Sequence, residues 1–230
     1  MSDAEPTLTN SPTTDPGTLR QSLLRFQVPL ADPLLEARLE QYCQVLWREN
    51  QVLNLTRHLT FDVFVARDLN DVIQVSSLIR PNETVLDVGS GGGVPGVVLA
   101  ILRPDLHVTL CESVAKRVRA LETIVQDLGL KCTLRHQRAE ELLATERFDV
   151  CIARAVGPLW KICNWFQGRW RSMDRLLAFK GMRWTEELQE ARQYPSFQEV
   201  QTRVVAEYPM PGTDSLAYII KLWAKGAPDA

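Results

Sequence analysis

The residues from Val85 to Gly96, VLDVGSGGGVPG, combine one carboxylate with a backbone that is nearly free of side chains. Glycine fills five of the eight positions from Gly89 to Gly96, which is more than a tight strand-to-helix turn needs. A glycine-rich turn of this kind can bind a dinucleotide, a phosphate or a sulfonium compound. The stretch therefore predicts a small-molecule site but leaves its ligand open.

Two residues argue against a dinucleotide, although the glycines satisfy GxGxxG and Glu112 follows where a ribose-binding acid is expected. Asp87 ends the first strand, where its charge would face the ligand and repel a pyrophosphate. Pro95 removes a backbone N–H that a phosphate would use at the helix entrance. A ligand with an ammonium and a sulfonium is favoured, and a nicotinamide cofactor remains the alternative.

S-adenosylmethionine meets these requirements. Asp87 can attract its ammonium, the bare loop can approach the rest of the molecule, and Glu112 can accept from both ribose hydroxyls. Ala139 and Glu140 follow the third strand and can contact the adenine, although Glu140 could equally be an ordinary acid in the first turn of a helix. We expect cofactor contacts from Asp87, Gly89, Ser90, Gly91, Gly93, Pro95, Glu112, Ala139, Glu140 and Arg154.

The elements that must position these residues alternate between strand and helix, which predicts an α/β fold with a parallel sheet. Strands are predicted at 84–88, 107–112, 131–136, 148–154 and 175–180, with helices at 95–102 and 113–128, the second capped by Ser113, and further helical segments around 138–144 and 158–166. Two consecutive strands, 200–210 and 215–223, close the chain and predict an antiparallel last strand. The pattern is that of a class I methyltransferase, a Rossmann-like fold.

The chain divides into four parts. Residues 1–18 are rich in Pro, Thr, Ser and Asp and predict a disordered tail. Residues 19–80 have apolar positions at helical spacing and predict a helical lobe. Residues 81–224 form the expected methyltransferase domain, and residues 225–230 a second tail.

Composition excludes several classes of protein. With 45% hydrophobic and 23% charged residues the chain is typical of a soluble globular protein, and a net charge of −2 requires any nucleic-acid surface to be local. Five cysteines without a CxxC pair indicate reduced thiols in the cytoplasm, with neither a disulfide frame nor a metal site. No signal peptide or membrane span is predicted.

With these residues placed, the chain resembles the ribosomal RNA small subunit methyltransferase G family, also called glucose-inhibited division protein B. The resemblance covers about residues 35–223. It is carried by NLT at 54–56, VLDVGSGGGVPGVVLAILRP at 85–104, ESVAKRVRALE at 112–122, RAEEL at 138–142, FDVCIARAVGPL at 148–159 and LLAFKG at 176–181. It implies methyl transfer from S-adenosylmethionine to N7 of a guanine in 16S ribosomal RNA.

Three departures from the family pattern concern RNA contacts. The family's R-H-x-x-D-S run corresponds here to Ala66–Asp71 and lacks the histidine, the serine before the fourth-strand arginine is Ala153, and an Arg-His pair is Asp214-Ser215. Because of these departures, the alternative stays open that the chain is a non-catalytic ribosome-binding factor with the same fold. The RNA target is thus less firmly indicated than the reaction.

Guanine N7 already carries a lone pair, so the reaction needs orientation rather than a base or a metal. Arg154 and Lys180, at the ends of the fourth and fifth strands, are the predicted catalytic residues and would position the base.

A local basic and aromatic patch is expected to bind RNA. It contains Arg154, Lys161, Arg169, Arg171, Arg175, Lys180 and Arg183 with Trp160, Trp165, Trp170 and Trp184. Asn54 and Thr56 are expected to cap the next helix. We expect the chain to act as a cytoplasmic monomer on the small ribosomal subunit or on its assembly intermediate.

Overall fold

A computed structural model describes residues 17–30 and 32–228. The predicted disordered tail falls largely outside the described residues, and Thr18, its last position, caps the first helix by accepting from the Gln21 N–H. The helical lobe contains α1 (Leu19–Arg25), α2 (Pro33–Leu53), α3 (Phe61–Val63), a π-helical segment (Phe64–Leu69) and α4 (Asn70–Ser76). A Pro at the first turn and the Asp32 side chain begin α2, as expected for a helix N-terminus.

Seven strands form one sheet in the described part of the chain. They are β1 (Thr84–Val88), β2 (His107–Glu112), β3 (Thr133–His136), β4 (Phe148–Ala153), β5 (Met173–Lys180), β6 (Val200–Pro209) and β7 (Leu216–Ala224). The order is β3-β2-β1-β4-β5-β7-β6, with β1 to β5 parallel and β7 antiparallel to both β5 and β6. The predicted class I methyltransferase sheet with its antiparallel end is confirmed.

Helices cover both faces of this sheet. They are α5 (Gly96–Leu102), α6 (Ala115–Asp127), α7 (Ala139–Leu142), α8 (Leu159–Trp165) and α9 (Trp184–Ala191), with 3₁₀ turns at Trp170–Ser172 and Pro195–Glu199. Because side chains alternate between the faces of a strand, Val85 and Leu86 enter two different hydrophobic clusters. One cluster joins the lobe to the face under α5 and α6, so this core crosses the predicted boundary between residues 80 and 81.

Three local expectations are corrected. Ser113 does not cap α6, because the helix begins at Ala115 and the Glu112 carboxylate accepts the Val114 N–H instead. Asn54 ends α2 in a left-handed conformation rather than beginning the next helix, which Thr60 caps. The helix α9 was not predicted. No helix in the described ranges has the length and apolarity needed to cross a bilayer.

Candidate active site

A cavity of about 650 Å³ lies where the carboxyl ends of β1, β2 and β4 face the helical lobe. Its volume is in the range of small-molecule sites, about 300 to 1,000 Å³. The sheet side is lined by the glycine loop, Cys111, Glu112 and Gln137 to Glu140, and the lobe side by Leu46, Leu55 to His58 and Asp68. Arg154, Ala155, Val156 and Trp165 complete the wall. Parallel α/β sheets keep their ligand sites at this edge.

The glycine loop is tied to the neighbouring strand before it reaches the cavity. The N–H groups of Gly89 and Ser90 both donate to the Cys111 carbonyl, at 2.9 and 3.1 Å. Gly89 and Gly91 have positive φ angles, 71° and 54°, which a side chain would disfavour. The structure therefore places Gly89, Ser90 and Gly91 at the cavity surface, as the sequence predicts for cofactor contacts.

Gly93 and Pro95 do not line the cavity, which corrects their expected place at its surface. Gly93 has a φ of 99°, and a Cβ there would lie 2.6 Å from Val97 Cγ2, so its bareness permits packing of the loop on α5. Gly96 was not singled out by sequence, yet a Cβ on it would lie 2.5 Å from the Asp87 carboxylate. Gly93 and Gly96 therefore allow the loop to pack closely on the protein beneath it.

Asp87 is buried under the loop and does not face the cavity, contrary to the sequence argument. Its Oδ2 accepts the Gly96 N–H at 3.1 Å, while its buried Oδ1 has no hydrogen-bond partner among the described residues. Desolvation raises the pKa of Asp87 to about 7, against the opposing hydrogen bond from the Gly96 N–H. Asp87 thus holds the start of α5 through the Gly96 N–H.

Glu112 ends β2 and is buried at the cavity wall. Its Oε2 accepts the Gly91 N–H at 3.1 Å and its Oε1 the Val114 N–H at 2.8 Å, so one carboxylate joins the loop to the start of α6. Arg117 approaches to 3.8 Å. A carboxylate accepts about four hydrogen bonds, which leaves capacity for ribose hydroxyls on the cavity side.

Ala139 and Glu140, at the start of α7, also line the cavity. The Ala139 side chain is buried and Glu140 is half-buried, with Arg138 3.8 Å from its carboxylate. Their position beyond the end of β3 fits the expected adenine contacts.

Arg154 lies at the wall with its guanidinium held by two acids of the lobe. Nη2 is 2.7 Å from Asp68 Oδ1 and Nε is 2.8 Å from Asp71 Oδ2. Asp68 also contacts His58 Nδ1 at 2.8 Å, and Asp71 accepts the Tyr208 O–H at 2.7 Å. We call these five side chains the acid–arginine network.

Burial and charge oppose each other in this network. Burial disfavours the charged guanidinium, but the two carboxylates more than offset that effect and raise the pKa of Arg154. Burial likewise raises the pKa of Asp71, against Arg154 and the Tyr208 hydroxyl. The guanidinium is therefore fixed as a cation whose donors point to the lobe.

Lys180 is placed outside the cavity, which corrects its predicted catalytic role. Its buried Nζ donates to the Gly157 carbonyl and to Glu187 Oε2, both at 2.7 Å. Because α9 was not predicted, its acid Glu187 was not foreseen as a partner. Lys180 secures the loop after β4 to α9.

The predicted basic patch is only partly exposed. Arg154, Arg175 and Lys180 are occupied by intramolecular carboxylates, and Trp170 is buried in the core. Trp165 lines the cavity, with Lys161 Nζ 5.1 Å from the centre of its ring. Exposed cations that line the cavity come instead from Arg57, Arg117 and Arg138.

Sequence reasoning missed the lobe's contribution to the wall. Asp68 and Asp71 lie three residues apart within the apolar run FVARDLNDVI, and two acids on one apolar helical face would have been a signal. His58 gives no such signal in its local sequence. Among residues 17–30 and 32–228, no group of three or more His, Cys, Asp and Glu side chains could hold a metal ion.

Comparison with known proteins relates the chain to one family. Residues 35–211 match the family model of rRNA small subunit methyltransferase G, GidB. The protein named ribosomal RNA small subunit methyltransferase G from Rhodopirellula baltica is 47% identical over 191 residues, 83% of this chain and 82% of that protein. One of the same name from Solibacter usitatus is 32% identical, over 88% of this chain and 96% of that protein.

Solved structures resemble the fold at low sequence identity. A variant of MtNAS in complex with S-adenosylmethionine superposes with a TM-score of 0.55 at 14% identity, over 84% of this chain and 76% of that chain. Precorrin-6y C5,15-methyltransferase from Geobacter metallireducens gives a TM-score of 0.51 at 14% identity, over 69% and 88%. These likenesses support the sheet architecture described above.

Proposed function

Because the chain belongs to the rRNA small subunit methyltransferase G family, we propose that it transfers a methyl group from S-adenosylmethionine to N7 of a guanine in 16S ribosomal RNA. The observation that carries the proposal is the composition of the cavity. The sheet side has the glycine loop, the buried Glu112 and the exposed Arg117 and Arg138, and the lobe side has His58 and the exposed Arg57. A nucleoside cofactor and a nucleotide substrate can thus share one space.

The sheet side of the cavity fits S-adenosylmethionine, which supplies an electrophilic methyl group on a sulfonium. The Gly89–Gly91 backbone can approach the ligand closely, Glu112 can accept from its ribose, and Ala139 with Glu140 can contact its adenine. Asp87 adds a buried negative charge beneath the loop. A pyrophosphate would meet the Glu112 carboxylate here, which disfavours the dinucleotide alternative.

The chain's own contribution to the reaction is orientation and exclusion of water, since guanine N7 needs no base. Arg154 is a positioning residue in this scheme, because its Nε–H donates to Asp71 and its Nη2 forms an ion pair with Asp68. It holds the lobe against the end of β4 and so sets the width of the cavity. Lys180 takes no part in transfer.

The RNA is held by cations around the cavity mouth. Arg57, Arg117 and Arg138 are exposed there and can meet phosphates, while Trp165 offers an aromatic face. We propose that the chain acts as a monomer. We propose that this monomer acts in the cytoplasm on the small subunit or an assembly intermediate.

The proposal is tested with labelled S-adenosylmethionine and small subunits from a bacterial strain that lacks this modification. Label should appear in 16S RNA, and primer extension after N7-specific cleavage should map it to one guanine. A chain that binds both cofactor and particle yet leaves every N7 unlabelled would instead be a non-catalytic binding factor. Stabilisation against heat by NADH, but not by S-adenosylhomocysteine, would support the nicotinamide alternative.

A further inference from the structure

His58 is fixed in the cavity wall from three directions. It lies in the connection between α2 and α3, where its N–H donates to the Thr56 hydroxyl at 3.0 Å. Its carbonyl accepts the Trp47 indole N–H at 2.8 Å. Its ring nitrogen Nδ1 is 2.8 Å from Asp68 Oδ2. A loop residue held at its N–H, its carbonyl and its ring has a defined orientation.

The acid–arginine network explains why the histidine, rather than its neighbours, is available to a ligand. Asp68 uses one oxygen on Arg154 and the other on His58. Asp71 uses one on Arg154 and the other on Tyr208. Two carboxylates and one guanidinium leave a net charge of −1, and each of the three is already engaged within the protein.

The contact with Asp68 also sets the tautomer of the ring. An ionised carboxylate only accepts, so Nδ1 must carry the hydrogen, and in the neutral ring Nε2 then has the free lone pair. The side chain is 32% exposed and lines the cavity. None of the hydrogen bonds that His58 makes to described residues uses Nε2. The wall opposite the glycine loop therefore presents an oriented acceptor.

We propose that His58 is a catalytic residue that accepts, through Nε2, a hydrogen bond from the Watson–Crick edge of the target guanine. This inference rests on the proposed function. Guanine displays two donors on that edge, the N1–H and the exocyclic amine, whereas its N7 lies on the other, Hoogsteen edge. A base held by this edge turns N7 toward the sheet side of the cavity, where the cofactor is proposed to bind.

The chemistry gives this acceptor a role beyond binding. Transfer forms a bond from the methyl carbon to N7 with the N7 lone pair and breaks the bond from that carbon to sulfur, whose electrons stay on sulfur. Positive charge moves onto the purine, and its N1–H and amine become stronger donors. A hydrogen bond to His58 is then stronger in the transition state than in the ground state, which accelerates the step. No proton leaves the base.

The other polar side chains near His58 fit this role less well. Arg57 is a donor and a cation, so it would oppose the charge that forms on the ring. The Thr56 hydroxyl oxygen already accepts the His58 N–H. The charged groups that face the imidazole are Asp68 and, through Asp68, Arg154 and Asp71, together with Arg57 on the adjacent cavity wall.

The test compares His58→Ala and His58→Gln with wild type and with His107→Asn. His107 is exposed at the opposite end of β2, outside the cavity. Single-turnover transfer to unmethylated small subunits is measured at pH 8 with both substrates saturating, and S-adenosylhomocysteine affinity is measured by calorimetry. The Ala variant should transfer about 10- to 100-fold more slowly at pH 8, with its affinity for S-adenosylhomocysteine changed less than about twofold.

The Gln variant should recover part of the rate, because its amide oxygen can accept. Equal rates for wild type and His58→Ala would overturn the inference. So would weaker S-adenosylhomocysteine binding, which would place His58 on the cofactor, or a Gln variant as slow as Ala.

The calorimetric titration shows whether each variant is folded. If His58→Ala does not fold, His58→Leu replaces it, and a His58→Leu rate equal to that of wild type or of His58→Gln would overturn the inference. The proposed function fails separately, because in that case wild type itself leaves N7 unlabelled.

Discussion

At the end of β1, the single carboxylate of Asp87 carries one satisfied and one unsatisfied oxygen. Such a group is costly to ionise in the folded chain. The hydrogen bond from the N–H that begins α5 offsets only part of this cost. The sequence pattern assigns Asp87 to ligand contact, but its carboxylate directly contacts the backbone N–H of Gly96.

Asp87 should make the unfolding free energy depend on pH. The folded pKa of about 7 exceeds the ordinary 3.8, so its stabilising contribution is full below about pH 4 and is lost as pH rises to about 7. This loss is about 4 kcal/mol. We expect Asp87→Asn, which keeps an acceptor for Gly96, to lack this dependence. Thermal unfolding of the free protein between pH 4 and 8 measures it.

Asp214→Asn is the control for this experiment, because Asp214 is exposed. It should retain the wild-type dependence on pH. An Asp87→Asn profile parallel to wild type would show that Asp87 ionises normally in the folded chain.

Glu112→Gln should weaken S-adenosylhomocysteine binding by at least about tenfold. Both carboxylate oxygens accept backbone N–H groups, and the amide must turn an NH₂ toward either Gly91 or Val114, which leaves a donor facing a donor. Calorimetric titration gives the dissociation constant. The control is Glu122→Gln on the exposed side of α6, and similar constants for both variants would contradict the role given to Glu112.

At the scale of elements, the glycine loop is shaped by the helices beside it. Tyr42 of α2 donates its hydroxyl to the Gly92 carbonyl at 2.9 Å, and Gly93 packs directly on α5. The loop is therefore clamped between the lobe and the sheet. Its conformation depends on side chains that the motif itself does not include.

Gly93→Ala should lower the unfolding free energy by about 3 kcal/mol. Its φ of 99° adds backbone strain of about 1 to 2 kcal/mol, and the Cβ would overlap Val97 at 2.6 Å, for about 1 to 3 kcal/mol more. Gly168→Ala separates the two costs, because Gly168 has a φ of 70° and open space around its Cβ position. Chemical denaturation should show the smaller loss for Gly168→Ala, and equal losses would rule out the packing contribution.

Strands could be predicted from the sequence more fully than side-chain partners. The bounds of β1 and β2 match the predicted 84–88 and 107–112, because apolar runs end at Gly, Pro or charged residues. Lys180 and Arg175 were interpreted as RNA-binding cations, yet both are paired with acids. Arg175 pairs with Glu83, 92 positions earlier. A pair of residues so far apart in the sequence cannot be recognised from the local sequence pattern, so the burial of these two cations could not be predicted.

At the scale of the whole molecule, one buried ion pair joins the lobe to both halves of the sheet. Arg175 of β5 contacts both oxygens of Glu83, just before β1, at 2.9 and 2.7 Å, and donates to the Leu78 carbonyl at the end of the lobe. The buried guanidinium thus donates three hydrogen bonds, two to Glu83 and one to Leu78. Its contribution is to fix relative positions rather than to add net stability.

Glu83→Gln should lower the unfolding free energy by about 3 to 5 kcal/mol, since it leaves a buried guanidinium without its counter-charge. Glu186→Gln, which removes the exposed partner of Arg183, should cost less than about 1 kcal/mol. Urea denaturation compares the two. If the double variant Glu83→Leu with Arg175→Met regains most of the lost stability, the penalty arises from the unpaired charge; an equally unstable double variant would contradict that explanation.

The bond between Tyr208 and Asp71 spans 137 positions, and Asn70 of the same helix donates to the Pro209 carbonyl. During synthesis, α4 therefore emerges long before the strand that completes its contacts. The lobe wall reaches its final form only after β6 has been translated, so the substrate half of the cavity is assembled last. A nascent chain can form the glycine loop early, but it gains a finished substrate pocket only when translation is nearly complete.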